Sequence, residues 1–238
     1  MITSRQNSLV KEVQKLHTKK HRLERGAFLV EGEKLFNEAV KGGYELLALY
    51  STIERAGAVL INDSVLKAMA TTISPQDLVA VFRKKETSFD AVKKCIVLDN
   101  VQDPSNMGSI VRSALGAGFM NIIAVNCVDK YEPKVIRSSM GAVFHTNIFE
   151  CNEIEAMEII KNNGLTLAVC SMEGKSVFET DFPDNIAFVF GNEGNGVSKY
   201  FRSLARLNLS IPMNEQLESL NVAVSSAILM YFYKYKKE

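Results

Sequence analysis

A chain of 238 residues, 47% hydrophobic and 23% charged, has an ordinary globular composition with room for one large domain or two small ones. Its first residues, MITSRQNSLVKEVQ, are too polar for a signal peptide, and its longest apolar run, Val222 to Tyr233, is too short to span a bilayer, so no membrane partner is expected. The net charge of +1 points to no partner, and four scattered cysteines (95, 127, 151, 170) with three histidines leave no metal or redox pattern; they read as reduced core residues of a cytoplasmic protein, with no metal expected.

Residues 1–25 carry seven Lys or Arg (Arg5, Lys11, Lys15, Lys19, Lys20, Arg22, Arg25) against Glu12 and Glu24, so this segment is +5 and leaves −4 for the rest of the chain. Leu9, Val13, Leu16, Lys20 and Leu23 fall near one face of a helix. Such a run is ordinarily a solvated face. The functional alternative is a contact surface for a polyanion, with Lys11, Lys15, Lys19, Lys20 and Arg22 as its cations. AFLVE then reads as a strand, EKLFNEAVKGG as a helix ending at Gly42, ELLALY as a strand, DSVLKAMA as a short helix and DLVAVF as a strand. Together they predict a small α/β unit. The charged stretch RKKETSFDAVKK, residues 83–94, is the linker, which sets two domains at 1–88 and 94–238.

In the second domain CIVLD, NIIAV, LTLAVC, IAFVF and LNLSI read as strands. Helical patterns lie at 107–117, in EPKVIRSSMGA and in EIEAMEIIKNN, and a long helix from about Glu218 ends the chain. The alternation predicts a mostly parallel sheet with helices on both faces. In such sheets ligands sit beyond the C-terminal ends of the strands, and three unusual loops fall there.

In NVQDPSNMGSIVRSALGAGF, Asn106 stands where a helix N-cap belongs, and Gly108, Arg112 and Gly116 share a face away from the apolar one. Glycine inside a helix costs roughly 1 kcal/mol relative to alanine, so two beside one arginine imply close approach by another backbone or a ligand. The plain alternative is a capping Asn106 and an Arg112 paired with a carboxylate. In FGNEGNGVS, Gly191 and Gly196 have the spacing of a phosphate-binding loop, but Val197 replaces its lysine, and the dinucleotide fingerprint fails at Lys199. Glu193 among glycines suits a neutral or cationic ligand better than a phosphate. In SIPMNEQLESLNVAVSSAI, Pro212 ends a strand, and Ser219 and Asn221 open the last helix. That helix is apolar nearly all round, so it is buried in the domain or against a partner subunit.

Taken in order, Asn106-Met-Gly108-Ser-Ile-Val-Arg112, Gly191-Asn-Glu193-Gly-Asn-Gly196, and Ile211-Pro-Met213 with Ser219-Leu-Asn221 resemble the SpoU (TrmH-like) branch of the SPOUT RNA methyltransferases. The resemblance covers roughly residues 94–238. SRQNSLVKEV and FLVEGEKLFNEAV more loosely resemble the small substrate-binding domain of many members. The resemblance implies a C-terminal trefoil knot holding S-adenosylmethionine, with Gly191, Ile211 and Leu220 on the cofactor largely through backbone and Met213 and Met172 beside them. It implies methyl transfer to a ribose 2′-hydroxyl of ribosomal or transfer RNA, and the separate N-terminal domain favours ribosomal RNA. Arg112 would meet the hydroxyl, and Asn106, Glu193, Ser219 and Asn221 would arrange it. A homodimer through the second domain is expected. The competing readings are a non-catalytic RNA-binding protein on the same fold and a nucleotide-phosphate enzyme. The first would be expected to lack Arg112, Glu193 or Asn221, and the missing lysine speaks against the second.

Overall fold

The apolar runs become strands and the periodic stretches helices. The computed structural model describes residues 1–89 and 91–237, except for the side chain of Met172. In chain order the elements are α1 (Ser8–Lys15), α2 (Lys19–Arg25), β1 (Ala27–Glu31), α3 (Glu33–Lys41), β2 (Leu46–Ser51), β3 (Val59–Leu60), α4 (Asp63–Met69) and β4 (Leu78–Arg83). They continue with β5 (Lys94–Asp99), α5 (Pro104–Ala117), β6 (Asn121–Val125), α6 (Pro133–Ser138), β7 (Asn147–Cys151), α7 (Glu153–Asn162), β8 (Thr166–Ser176), β9 (Ile186–Phe190), α8 (Lys199–Leu204), β10 (Leu207–Ser210) and α9 (Val222–Lys237).

The chain forms two units, one of residues 1–86 with 129–144, the other of 87–128 with 145–238. The expected contiguous second domain therefore gives up 129–144, which packs with the N-terminal residues.

The first unit is built on a four-stranded sheet in the order β1-β4-β2-β3, in which β4 runs antiparallel to both of its neighbours. Every residue of β1 is buried, as alternation demands of a strand covered on both faces. Leu29, Tyr50, Val79 and Val81 face α1 and α4 through Val10, Val13, Leu16, Val65 and Met69. On the other face Phe28 stacks on Tyr131 at 4.3 Å between ring centroids and packs with Phe82 and Phe144.

The single N-terminal helix expected from the sequence is two helices. Arg22 is the cause. Its Nη1 donates to the carbonyls of Leu16 (3.0 Å) and His17 (3.1 Å), which a continuous helix would need for its own amides. Its Nε and Nη2 meet Asp129 (2.7 Å) and Glu132 (2.6 Å). Leu9 and Leu23, expected on the covered face, are exposed.

The second unit holds a six-stranded sheet, parallel throughout, in the order β10-β8-β9-β5-β6-β7. One face buries Val97, Ile123, Val169 and Val189 against α7 and α8. On the other, α5 packs on α9, and Tyr233 of α9 reaches Phe119 and Phe188 at 5.6 and 5.5 Å. The pairing of β8 with β10 breaks between Asn208 and Leu209, whose partners are Val169 and Lys175. Residues 170–174 bulge out between them, and Gly174 returns so close that a Cβ there would strike the backbone of Leu209.

Candidate functional site

β5 and β9 are neighbours in the sheet, and the chain leaves β5 toward β6 on its other side. The C-terminal ends of β5 and β9 therefore flank the place where strand order reverses, the usual ligand crevice of a parallel sheet. Asn100 (φ 59°) and Asn126 (φ 51°) turn the chain sharply there in the left-handed region that asparagine tolerates.

Helix α5 starts earlier than the sequence suggests. Asp103 is its N-cap, accepting from the amides of Ser105 (2.6 Å) and Asn106 (3.0 Å), with Pro104 at the first helical position. Asn106 is thus released from capping. Its Nδ2 donates to Oε1 of Glu193 (3.1 Å), and its Oδ1 accepts from Nδ2 of Asn221 (2.9 Å). Asn221 in turn caps α9 by accepting from the amide of Ala223 (2.8 Å). Three residues far apart in sequence, Asn106 in the first turn of α5, Glu193 in the glycine loop and Asn221 at the head of α9, form one hydrogen-bonded line.

The glycine loop that carries Glu193 is closed by its own backbone. Asn192 and Gly196 exchange amide hydrogen bonds of 3.0 and 2.9 Å, and Gly191 is packed so tightly on Gly196 and Val197 that a Cβ would not fit. Of the three loop glycines only Gly196 takes a positive φ, 66°. Asn192 holds the turn, accepting from the amides of Gly194 (3.0 Å) and Asn195 (3.1 Å) and donating to the carbonyl of Asn100 (2.9 Å).

Glu193 is turned toward the start of α5, where its carboxylate also accepts from the amide of Asp103 at 3.2 Å. An anion there is favoured by the helix dipole. Burial pushes the Glu193 carboxyl up, but hydrogen bonds from Asn106 and from backbone amides outweigh it and hold it below its usual range. The carboxylate is an ionised anchor for Asn106, and a weak base.

The guanidinium of Arg112 is exposed and makes no hydrogen bond or ion pair among the described residues, so the plain ion-pair reading does not apply among them. One turn further on, Gly116 accommodates Tyr231 of α9, whose hydroxyl lies where a Cβ would stand. Helix-to-helix approach therefore explains that glycine. Ser219 is exposed, two residues before Asn221, and makes no hydrogen bond among the described residues.

Gly191, Ile211 and Met213 lie just past the C-terminal ends of the strands β9 and β10, which both flank β8. Ile211, Met213 and Leu220 are half-buried, and the backbones of Met213 and Leu220 make no hydrogen bond among the described residues. An apolar lining with unsatisfied backbone groups fits a ligand with an apolar body and a polar edge. Met172 sits in the bulge of β8, and its side chain lies outside the described residues.

Of the cations expected to meet a polyanion, Lys11 and Lys19 are exposed without an ion pair among the described residues, Lys15 pairs with Glu12 (2.7 Å) and Lys20 with Glu24 (3.9 Å). Arg22 must be removed from that set. It is fully buried between Asp129 and Glu132, and no surface ligand reaches it.

Sequence reasoning missed Asp103 and Asn192. An Asp-Pro pair ahead of a periodic stretch was the available signal for the first; nothing marked the second. Among the described residues no cluster of His, Cys, Asp or Glu is placed to hold a metal, and no helix is long and apolar enough to cross a membrane.

Residues 93–231 match the SpoU rRNA Methylase family, and residues 7–80 match the MRM3-like substrate binding domain. The chain is 32% identical to the 23S rRNA (guanosine(2553)-2′-O)-methyltransferase RlmP of Bacillus subtilis over 97% of both chains. It is 36% identical to the 23S rRNA (adenosine(1067)-2′-O)-methyltransferase of Streptomyces azureus over 57% of this chain and 52% of that one. The crystal structure of an AdoMet-bound rRNA methyltransferase from Sinorhizobium meliloti superposes with a TM-score of 0.90 at 27% identity, covering 98% of this chain and 97% of that chain.

Proposed function

The chain belongs to the SpoU rRNA methylase family, and on that premise we propose that it is an S-adenosylmethionine-dependent methyltransferase acting on a ribose 2′-hydroxyl of ribosomal RNA. The observation that carries this reading is the line Glu193–Asn106–Asn221 at the switch point, with Arg112 further along the same helix as Asn106 and unpaired among the described residues. When bound, the cofactor supplies an electrophilic methyl on a sulfonium sulfur. Gly191, Ile211 and Leu220 hold it through backbone groups, with Met213 and Met172 beside them. The C-terminal segments that pass β8, β9 and β10 form the trefoil knot, a reading supported by the seat of β9 between β8 and β5 and the backbone contact at Gly174.

The chain's own task is to orient the ribose and to stabilise its oxygen as the proton leaves. Asn106 is fixed on both edges of its amide, so whatever it presents to the RNA is pre-set. Asn221 and Ser219 position the nucleotide and its phosphate from the opposite loop. Arg112 meets the 2′-oxygen. A guanidinium holds its proton too tightly to be a good base, so Arg112 acts by charge on the developing alkoxide, and the proton passes to solvent. The N-terminal residues 1–88 present the RNA, with Lys11, Lys15, Lys19 and Lys20 on its phosphates.

The active form is a homodimer through the second unit. Along α9, Val224 and Tyr231 are 48% and 49% exposed on the side away from Leu229 and Met230, and Tyr231 continues into the Gly116 face of α5. Two copies of this strip would give a closed two-fold contact.

The test is methyl transfer from labelled S-adenosylmethionine to protein-free ribosomal RNA from a strain lacking the gene, with the product mapped by 2′-O-methyl sequencing. The position named for the Bacillus subtilis relative is the first to inspect. Absence of transfer, or transfer to a base, overturns the reading.

A further inference from the structure

A groove of about 480 Å³ opens on the first unit between α1 and β2, within the range of small-ligand pockets. Its rim is apolar and wet: Leu9 and Leu47 are 47% and 41% exposed, and Val13 lies beneath them. Two polar features interrupt this lining. Tyr50 is 4% exposed, its hydroxyl makes no hydrogen bond among the described residues, and burial pushes its phenol up. Glu12 and Arg25 form an ion pair in the wall. A phenol hydroxyl that opens on the groove without a partner is a handle for a ligand group, and the ion pair offers acceptor and donor side by side.

The two helices that contribute Leu9, Glu12 and Arg25 to the groove also carry the charge that selects its occupant. With Arg22 neutralised inside the unit, Lys15 and Arg25 on Glu12 and Lys20 on Glu24, the cations left without an ion pair on α1 and α2 are Lys11 and Lys19. A flat apolar body with a polar edge, attached to phosphates, fits this set of groups. We propose that this groove takes an unstacked nucleobase of the RNA substrate, its face on Leu9 and Leu47 and its edge on Tyr50 and the Glu12–Arg25 pair. Unstacked bases in RNA loops are read in this way, by stacking and by their edges. The proposal rests on the RNA reading above and adds to it a recognition site.

The full chain is irradiated with ultraviolet light on protein-free ribosomal RNA from the deletion strain, and cross-linked peptides are mapped. Cross-links to residues 9–16 or 47–50 are expected; cross-links in the first unit that all lie elsewhere overturn the proposal. Leu47→Glu is then compared with Leu23→Glu, which adds the same charge at an exposed position outside the groove. Leu47→Glu should raise KM for RNA about tenfold over that control, a single base contact's worth, with kcat and cofactor affinity unchanged. Equal effects of the two variants overturn the proposal, as does a wild-type oligomer that Leu47→Glu dissociates, since a second copy would then cover the groove. The cross-linking reads the groove even if the wild-type protein transfers no methyl group, so failure of the enzyme reading and failure of the groove are seen separately.

Discussion

Each unit of this protein has a notable arginine, and the two are treated in opposite ways. Arg22 is buried, with two carboxylates and two carbonyls around its guanidinium. Arg112 is exposed and unpaired among the described residues, while Glu193, the carboxylate of the glycine loop, is bonded by Asn106 and by amides. An arginine surrounded by its own carboxylates fastens chain to chain. One left without a carboxylate partner among the described residues keeps its charge for a ligand. Charge patterning along the sequence places Arg22 among the surface cations.

Substitution should separate the two sharply. Arg112→Ala is expected to lower methyl transfer about 1,000-fold, the scale of a lost transition-state electrostatic contact, with cofactor affinity by calorimetry and melting temperature both near wild type. A melting temperature that falls with the activity would make Arg112 structural after all. Arg22→Ala should do the opposite, leaving Asp129 and Glu132 buried without their cation and costing about 3–5 kcal/mol by chemical denaturation. Loss of only RNA affinity, with no loss of stability, would return Arg22 to the surface set.

Glu193→Gln sharpens the comparison at the carboxylate. It keeps the shape but weakens the bonds to Asn106 and the α5 amides, and hydrogen bonds to charged groups contribute about 1.5–3 kcal/mol each. We expect a drop in turnover larger than the drop in stability. The pH dependence has a definite sign: because the folded-state carboxyl is held below its ordinary 4.5, its contribution is complete above that value and is lost as pH falls through the folded pKa. Glu31, held down likewise by Thr71, Thr72 and Arg137 against the upward push of burial, should weaken the first unit over the same acid range. Urea titrations of wild type and Glu193→Gln that differ equally at pH 7 and pH 3 would contradict the assignment.

The smallest effect tests the helix start. Asp103→Ala should cost about 1 kcal/mol, the value of an N-cap, whereas Asn106→Ala should spare the cap and reduce turnover. If Asn106→Ala proves the more destabilising, the cap was at 106.

The strands were legible because AFLVE, CIVLD, NIIAV and IAFVF are short apolar runs with clear boundaries, and the order of motifs placed their loops at one end of the sheet. What was not legible depended on distance. Nothing near Arg22 in the sequence announces Asp129, 107 residues away, so neither its burial nor the break in the N-terminal helix could be read. The bulge at 170–174 follows from pairing with β10, which is local to neither strand. Asn106 was placed one turn wrongly because both Asp103 and Asn106 are good caps, and only Pro104 discriminates.

Because residues 129–144 belong with the N-terminal residues while the chain on either side of them lies in the other unit, the polypeptide passes from unit to unit three times. A protease nick in the exposed stretch around Lys85 and Glu86 would therefore free neither piece. The N-terminal fragment would still grip the other through Phe28 on Tyr131 and Arg22 on Asp129. The two should co-purify under native conditions and part only in denaturant. The same arrangement defeats module swapping by a single genetic cut, since grafting residues 1–88 onto a foreign catalytic half would leave behind the sixteen-residue clip that completes its core.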